Sequence, residues 1–464
     1  MKRFIPIFFA FILIPFLAHA SEITTQNDEG KVLNVQTIEN EKGLDLWLAE
    51  DHSVPIVSIS LSMPGGLAAD PIEKPGLSYL MSILLDEGAG DYDNQEFQKE
   101  LADNSISLSF SAGRDFFTIQ IKSLSRNLDT AIKLANLALT DPKFDEDAIK
   151  RMKQSTEASI SNQLKSPGWI AARSFNGLMF EGDAYALPGQ GNLHSLKEIT
   201  RDDIVDQHKK QFTTDGLQIA IAGDASPEQS KTIVSELLKG LPATSELNLK
   251  TEPAKLQHLG KTFVYDLDNP QTHITVGHEG IPVTDEDWPA VKVVNYVLGG
   301  GGFASRLMEE IREKRGLTYG VGSYPANLKR AATMQASMSV SNENAAEAID
   351  LLKKEWKRMA TTGPTENEVQ AAKDYLTGSL LLNLTSTSSI SSALNGLQQL
   401  GFDADYINKR NKRIKAVTAE QARIVAGRLL NADNLMIIMV GKPNITEGIT
   451  PLKKIPGMNI DKDK

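Results

Sequence analysis

Between Leu298 and Tyr324 the chain reads LGGGGFASRLMEEIREKRGLTYGVGSY, and in it Arg315 and Tyr319 are a pair able to steady a developing negative charge. A guanidinium is permanently charged and donates through a fixed fork, and a phenol donates a single proton. Four glycines, Gly299 to Gly302, open the stretch. Ser305 to Lys314 follows as an amphipathic segment with Leu307, Met308 and Ile311 at helical spacing. Arg315-Gly316 reads as the helix end, because glycine takes the left-handed conformation of a C-terminal cap, and Leu317 to Val321 as the next strand. This order puts Arg315 and Tyr319 close to one junction. A glycine run also raises nucleotide binding. A P-loop, however, needs Lys-Ser/Thr after its last glycine, where Phe303-Ala304-Ser305 stands, and a dinucleotide fingerprint needs spaced glycines leaving a strand. Taken singly, Arg315 reads as a surface arginine and Tyr319 as a half-buried strand residue. The case for chemistry lies in the string as a whole.

That string resembles the second-half signature of the pitrilysin/insulinase metallopeptidases, the inverzincins, in which a Gly-rich turn, an S-R-L helix and an R-E-K-R-G-L-x-Y segment occur in this order. The resemblance implies that Arg315 and Tyr319 hold the substrate carbonyl and its oxyanion, facing the active site across the chamber.

Active members of that family carry H-x-x-E-H on the first helix, two His for zinc with a Glu as general base, and a further Glu on a later helix. The corresponding stretch here is Lys74 to Leu85. Aligning Gly76-Leu77 with the family's G-L puts Tyr79 and Ile83 at the two His positions, Ser82 at the base, and Ser159 near the distant Glu. A phenol and an aliphatic side chain make no neutral-pH zinc site, and an unaided Ser is no base. Asp86, Glu87 and Glu157 lie nearby, yet zinc needs about three convergent protein ligands. After the leader the histidines are His52, His194, His208, His258, His273 and His278, none at a metal spacing. His273 and His278 are expected on opposite faces of one strand. No zinc is expected in this chain. The resemblance implies that the metal belongs to a partner, because the family includes heterodimers of a zinc-bearing subunit with one supplying Arg and Tyr.

In the family, substrate adds as a strand to a sheet edge near the segment matching Asn104, Ser105, Ile106 and Ser107. An ordinary alternating strand with Ile106, Leu108 and Phe110 inward reads equally well there.

The elements that must position these residues occur twice. Thr200 leads through a helical run to Gly223, and Thr418 likewise to Gly441, both at an offset of 218 positions. Asn127 to Ile132 matches Asn344 to Ile349 at 217. Each unit opens with a strand, continues with a helix from Pro75 or Pro289, and adds further strands, two longer helices and a closing strand. The expectation is an α+β fold of two homologous domains, each a mainly antiparallel sheet with helices on one face. The resemblance extends to Gly43 through Pro55, a strand-turn-strand, and implies that the halves form a clamshell around an unfolded peptide. The division is 1–20 leader, 21–245 first domain and 246–464 second domain, with a solvated linker through Leu241 to Ala254. The tail after Gly441 reads as polar and frayed, at least from Gly457.

The first twenty residues, Lys2-Arg3, an apolar run and Ala18-His19-Ala20, read as a secretory signal peptide. No later stretch is long and apolar enough to span a membrane. With no cysteine, the chain suits the periplasm without relying on disulfides. The net charge is −10, and −12 once Lys2 and Arg3 leave with the leader, which argues against nucleic-acid binding. The reading is a zinc-less subunit of a heterodimeric periplasmic metallopeptidase, inactive alone, that binds unfolded peptide with a zinc-bearing pitrilysin-family partner. The alternative is a non-catalytic peptide-binding or scaffold protein of the same fold.

Overall fold

The computed structural model describes residues 31–39 and 44–458; the expected leader and Gly43 lie outside the described residues. The first half contributes strands β1 (Gln36–Glu39), β2 (Asp45–Glu50), β3 (Ile56–Pro64), β4 (Ser107–Ala112), β5 (Phe116–Leu124) and β6 (Gln218–Gly223). They form one sheet in the order β1-β2-β6-β3-β5-β4. The second half contributes β7 (Thr262–Asp266), β8 (Gln271–Glu279), β9 (Thr318–Leu328), β10 (Ala331–Ser341), β11 (Met436–Gly441) and β12 (Thr450–Pro451), ordered β12-β7-β11-β8-β10-β9. Past the outermost strand the two orders are the same, so the sequence repeat is a repeat of fold. Among the described residues only the pairs β2–β6, β7–β11 and β7–β12 are parallel. Strands β4 and β9 are the equivalent edges.

Helices α1 (Leu77–Ser82), α2 (Asn94–Asp103), α3 (Leu128–Thr140), α4 (Glu146–Gln163), α5 (Pro167–Met179), α6 (Leu193–Glu198), α7 (Arg201–Gln211) and α8 (Pro227–Leu237) belong to the first half. The second half has α9 (Trp288–Asn295), α10 (Ala345–Thr362), α11 (Glu366–Gly378), α12 (Thr387–Gln399), α13 (Tyr406–Ala416) and α14 (Ala419–Leu429). Many starts are written in the sequence as capping boxes, for example Thr200 with Asp203 and Thr365 with Glu368.

Alternation along the central strands sorts the two faces of each sheet. In β3, Val57, Ile59, Leu61 and Met63 join the first half's core, and in β8, Ile274 and Val276 join the second's. The α+β class with two homologous halves is the observed one, but the expectation of helices on one face needs a correction. The opposite face of each sheet carries one helix donated by the other half. Helix α12 lies on β3 and β6, and α5 lies on β8 and β11. The seams differ in chemistry. On the first sheet Ser58 meets Thr387 at 2.8 Å and Ser60 meets Ser391 at 3.0 Å, with Leu394 packing on Trp47 and Ala220. On the second, Phe175 packs on β8 within a core that also holds Met436, Ile438 and Val440.

This exchange also corrects the clamshell expectation in one respect. Parting the two halves of this chain exposes Phe175, Leu394, Met436, Ile438 and Val440, at about 1.5–3 kcal/mol each. That sum is comparable to the roughly 5–15 kcal/mol that holds a whole domain together. The exchanged helices therefore join the two halves as one body. The tail is corrected too: Ile455 and Met458 are buried, and Arg173 Nε donates to the Pro456 carbonyl at 3.2 Å.

Candidate functional site

The glycine run is a packing device. Helix α9 widens after Asn295 into a π-helical turn, Tyr296–Gly300. Its Gly299 lies so close to β9 that a Cβ would stand 2.6 Å from the Ser323 backbone nitrogen. At Gly301 a Cβ would meet the Tyr296 carbonyl at 2.7 Å, and Gly302 has φ +57°. Steric crowding at Gly299 and Gly301 and the positive φ of Gly302 account for three of the four glycines.

The expected helix from Ser305 is observed, but its second turn is π-helical, Met308–Glu313, with Lys314 N donating to Glu309 O at 3.0 Å. Such turns widen the helix by one residue and recur at functional sites. Gly316, at φ +66°, ends it as expected. Arg306 anchors the segment: its Nε and Nη2 each reach a carboxylate oxygen of Glu368 at 2.7 Å, and Nη2 also reaches the Gly363 carbonyl at 3.1 Å. The Arg306 pair and the Thr365 cap hold the Glu368 carboxyl, against its burial, down to about 2.

Arg315 and Tyr319 both reach the surface. Arg315 Nη1 donates to the Glu310 carbonyl at 2.7 Å and to its Oε2 at 2.8 Å. Bonds from Lys314 and Arg315 keep the Glu310 carboxylate below its ordinary range. Among the described residues nothing bonds Arg315 Nε or Nη2, so one edge of the fork is open. Tyr319, the second residue of the edge strand β9, is 89% exposed, the highest of any large apolar or aromatic side chain described. The tyrosine is thus far more exposed than an ordinary strand residue.

Tyr79, Ser82, Ile83 and Ser159, the positions the resemblance assigns to the metal machinery, carry side chains that do not fit zinc. Helix α1 is shorter than Lys74 to Leu85. It starts after Gly76 in the left-handed region, with Asp70 accepting from Gly76 N and Ser78 N at 2.8 and 2.9 Å. It stops at Ser82, whose hydroxyl donates to the Tyr79 carbonyl at 2.7 Å and competes with the helix ladder. Tyr79 and Ile83 are half-buried beside α4, where Ser159 accepts from Gln163. Glu87 is paired with Arg151, and Asp86 accepts from Gln98. Among the described residues no three His, Asp or Glu converge as a metal set.

The histidines are placed by packing. His278 donates Nδ1–H to Glu279 O and accepts at Nε2 from Trp356 Nε1 at 2.9 Å, whereas His273 faces α5 on the opposite side of β8. His208 is buried against Phe144 and Phe212, and burial pushes it down to about 4. His52 bridges Asp224 and Glu50 at the surface, and His258 pairs with Glu181.

Of the proposed strand-adding segment, only Ser107 lies on the open edge. Asn104 ends α2 and its carbonyl accepts from Asn127; Ser105 has φ +54°; the Ser105 and Ile106 amides bond Ala102 and Leu101. These three form a turn whose amides are engaged, and the free edge runs Ser107–Ala112. Leu108 and Phe110 point inward as expected.

Sequence reasoning missed Glu310, Glu368 and the Arg306 clamp. The Thr365-x-x-Glu368 spacing announces a helix start, but no local signal pairs Glu368 with a residue sixty positions earlier.

Comparisons with known proteins converge with this geometry. Residues 46–182 match the family model described as insulinase (peptidase family M16), and 198–376 the one described as peptidase M16 inactive domain. A non-peptidase homolog, YmxG, of Helicobacter pylori is 27% identical over 360 residues, 77% of this chain and 81% of that protein. An uncharacterised zinc protease of Streptomyces coelicolor is 25% identical over 323 residues, 68% of this chain and 70% of that one. Among solved structures, a peptidase M16 inactive domain from Pseudomonas fluorescens superposes with TM-score 0.83 at 26% identity, over 90% of this chain and all of that one.

Proposed function

Because the chain belongs to peptidase family M16, the insulinase family, and is an inactive member of it, we propose that it is the zinc-less subunit of a two-chain peptidase. In this reading Arg315 and Tyr319 are presented to a substrate carbonyl held at the zinc of a partner subunit of the same family. The observation that carries the reading is the contrast between two sites. Tyr319 stands 89% exposed on an edge strand beside an arginine with two free donors, while the metal positions hold Tyr79, Ser82, Ile83 and Ser159. A phenol and a guanidinium at one junction can donate to the oxygen of a tetrahedral intermediate; they cannot activate water. An unfolded peptide is proposed to lie along the equivalent edge, Ser107–Ala112, where backbone groups supply the bonds. The leader argues for export, and the periplasm is the proposed compartment; cell fractionation tests it.

The test is reconstitution. The purified chain alone is expected to carry no stoichiometric zinc and to cleave no unfolded peptide, and hydrolysis should appear on mixing with a zinc-bearing family member from the same cell. Arg315→Ala or Tyr319→Phe should then reduce turnover of the mixture about 10²-fold, the usual cost of an oxyanion donor. Neither should change stability by more than about 0.5 kcal/mol, because both are surface groups. Turnover unchanged by both substitutions refutes the roles. The Arg315–Glu310 bond favours a second reading, a scaffold in which Arg315 only closes its helix. That reading predicts complex formation with no effect of Tyr319→Phe.

A further inference from the structure

The duplication supplies an internal control for one cavity. Helices α5 and α12 have equal length, each is capped by a serine (Ser166, Ser386), and each lies on the open face of the other half's sheet. Register fixes the equivalent strand positions. Ser58 pairs with Ala222 and His273 with Val440, and Ser60 pairs with Ala220 and Thr275 with Ile438. In the first copy the seam is sealed. Ser58 bonds Thr387 and Ser388, and Ser60 bonds Ser391 and Ser392. Gln120 reaches Ser392 from the next strand, and only 60 Å³ of space remains.

In the second copy the helix has lost those side chains. Gly168 stands where α12 has Ser388, and Ala172 where it has Ser392. Nothing replaces the hydroxyl bonds, and a cavity of 470 Å³ opens between α5 and strands β8, β9 and β10. Cavities that hold small ligands run from about 300 to 1,000 Å³. Its walls combine Phe175, Phe180 and Leu328 with a preset polar floor. The Tyr324 hydroxyl donates to Gln335 Oε1 at 3.0 Å, and Gln335 Nε2 donates to Thr333 at 2.8 Å. His273 shares Nδ1 with Ser339 Oγ at 2.9 Å, while its Nε2 has no hydrogen-bond partner among the described residues. Among the described residues no Asp, Glu, Lys or Arg lines the space.

We propose that this cavity binds a small uncharged amphiphile, its apolar part against Phe175 and Phe180 and its polar end at His273 and Gln335. An ionised ligand would meet no counter-charge among the lining residues, so an uncharged guest is favoured. Burial lowers His273 below the usual imidazole range, so the ring is neutral at neutral pH and both gives and takes no charge from the guest. The cavity is separate from Arg315, and the inference holds whether or not the chain works beside a zinc subunit.

The test uses the full chain and N-phenyl-1-naphthylamine, an uncharged probe that fluoresces in apolar surroundings. Saturable one-to-one binding is expected, with the anionic anilinonaphthalene sulfonate at least tenfold weaker as a competitor. Ala172→Phe and, separately, Ala326→Phe each place a ring in the cavity and should weaken the probe at least tenfold, with unchanged circular dichroism showing the fold intact. The two positions lie on different elements, so a folding failure of one leaves the other. Absence of saturable binding, equal competition by the anion, or binding untouched by a folded variant overturns the proposal.

Discussion

Glu368→Gln tests how the Arg315–Tyr319 segment is held. Arg306 is almost wholly buried, with 6% of its side chain exposed, and Nη1 is buried with no partner, so Glu368 is the anion that balances it. Lowering a carboxyl from an ordinary 4.5 to about 2 corresponds to roughly 3 kcal/mol. About a third of the Glu368 side chain is in solvent, and discounting for that screening leaves about 2–3 kcal/mol. Removing one member of a buried pair costs about 3–5 kcal/mol, an upper bound here. With an unfolding entropy of about 2.1 cal/mol/K per residue, a chain of this length melting as one body should lose about 2–4 °C in Tm at pH 7. A half that melted by itself would lose about twice that, so the shift also reports whether the exchanged helices make one cooperative unit. The sign in pH follows from the depressed carboxyl: its stabilisation is complete above about 4.5 and is lost as pH falls toward about 2. Scanning calorimetry should therefore show the gap between wild type and variant narrowing at pH 3. A variant melting within about 0.5 °C of wild type at pH 7, or a gap that stays constant at pH 3, refutes the clamp.

Further expectations follow from the same packing. Gly277→Ala places a Cβ 2.7 Å from the Phe175 ring and 3.0 Å from the Met334 carbonyl, which should cost about 1–3 kcal/mol in denaturant titration although β8 is otherwise content with alanine. His208, pushed by burial to about 4, binds fewer protons folded than unfolded, so its contribution is full above about 6.5 and fades as pH falls toward 4. Asp70, pushed by burial up to about 7, acts oppositely, stabilising more as pH falls through 7 toward 4. The two slopes offset each other in wild type, each amounting to about 3–4 kcal/mol at most. His208→Phe should leave stability rising toward acid, and Asp70→Asn should leave it falling; urea midpoints between pH 4 and 7 check both, and parallel curves for wild type and both variants count against the buried assignments.

Much of the fold was legible because it rests on local or repeated signals. The offset of 218 between Gly223 and Gly441 located the equivalent strands β6 and β11, and Gly316 marked the end of the helix after Arg315. The reciprocal helices were not legible, for a physical reason. Ser58, Ser60 and Ser62 alternate with apolar residues and read as a solvent face, yet each is at most 1% exposed. The Ser58 and Ser60 hydroxyls are satisfied by a helix some 330 residues away and that of Ser62 by Gln218 on β6, and no pattern within β3 records that. The π-helical turns escaped as well, since Met308 to Glu313 has the composition of an ordinary amphipathic helix. Ser105 hid the start of the free edge because a serine in the left-handed region has no sequence mark.

The welded halves bear directly on what Arg315 and Tyr319 can reach. Strands β4 and β9 are the equivalent edges of the two sheets, and the broad face of each sheet carries a helix of the other half. If the halves hinged, β4 and β9 could close on one peptide within a single chain, and Tyr319 could serve a site built on α1. Because opening them would expose Phe175 and the Met436–Val440 strand, at a cost comparable to global unfolding, that route is closed. On the proposed reading, the catalytic role of Tyr319 then calls for a second chain. The requirement is testable without activity: Tyr319→Trp places a reporter ring in solvent, and its emission should move to shorter wavelength only when the zinc-bearing chain is added. Emission that stays that of an exposed tryptophan in a complex proven by sedimentation would place Tyr319 outside the shared chamber.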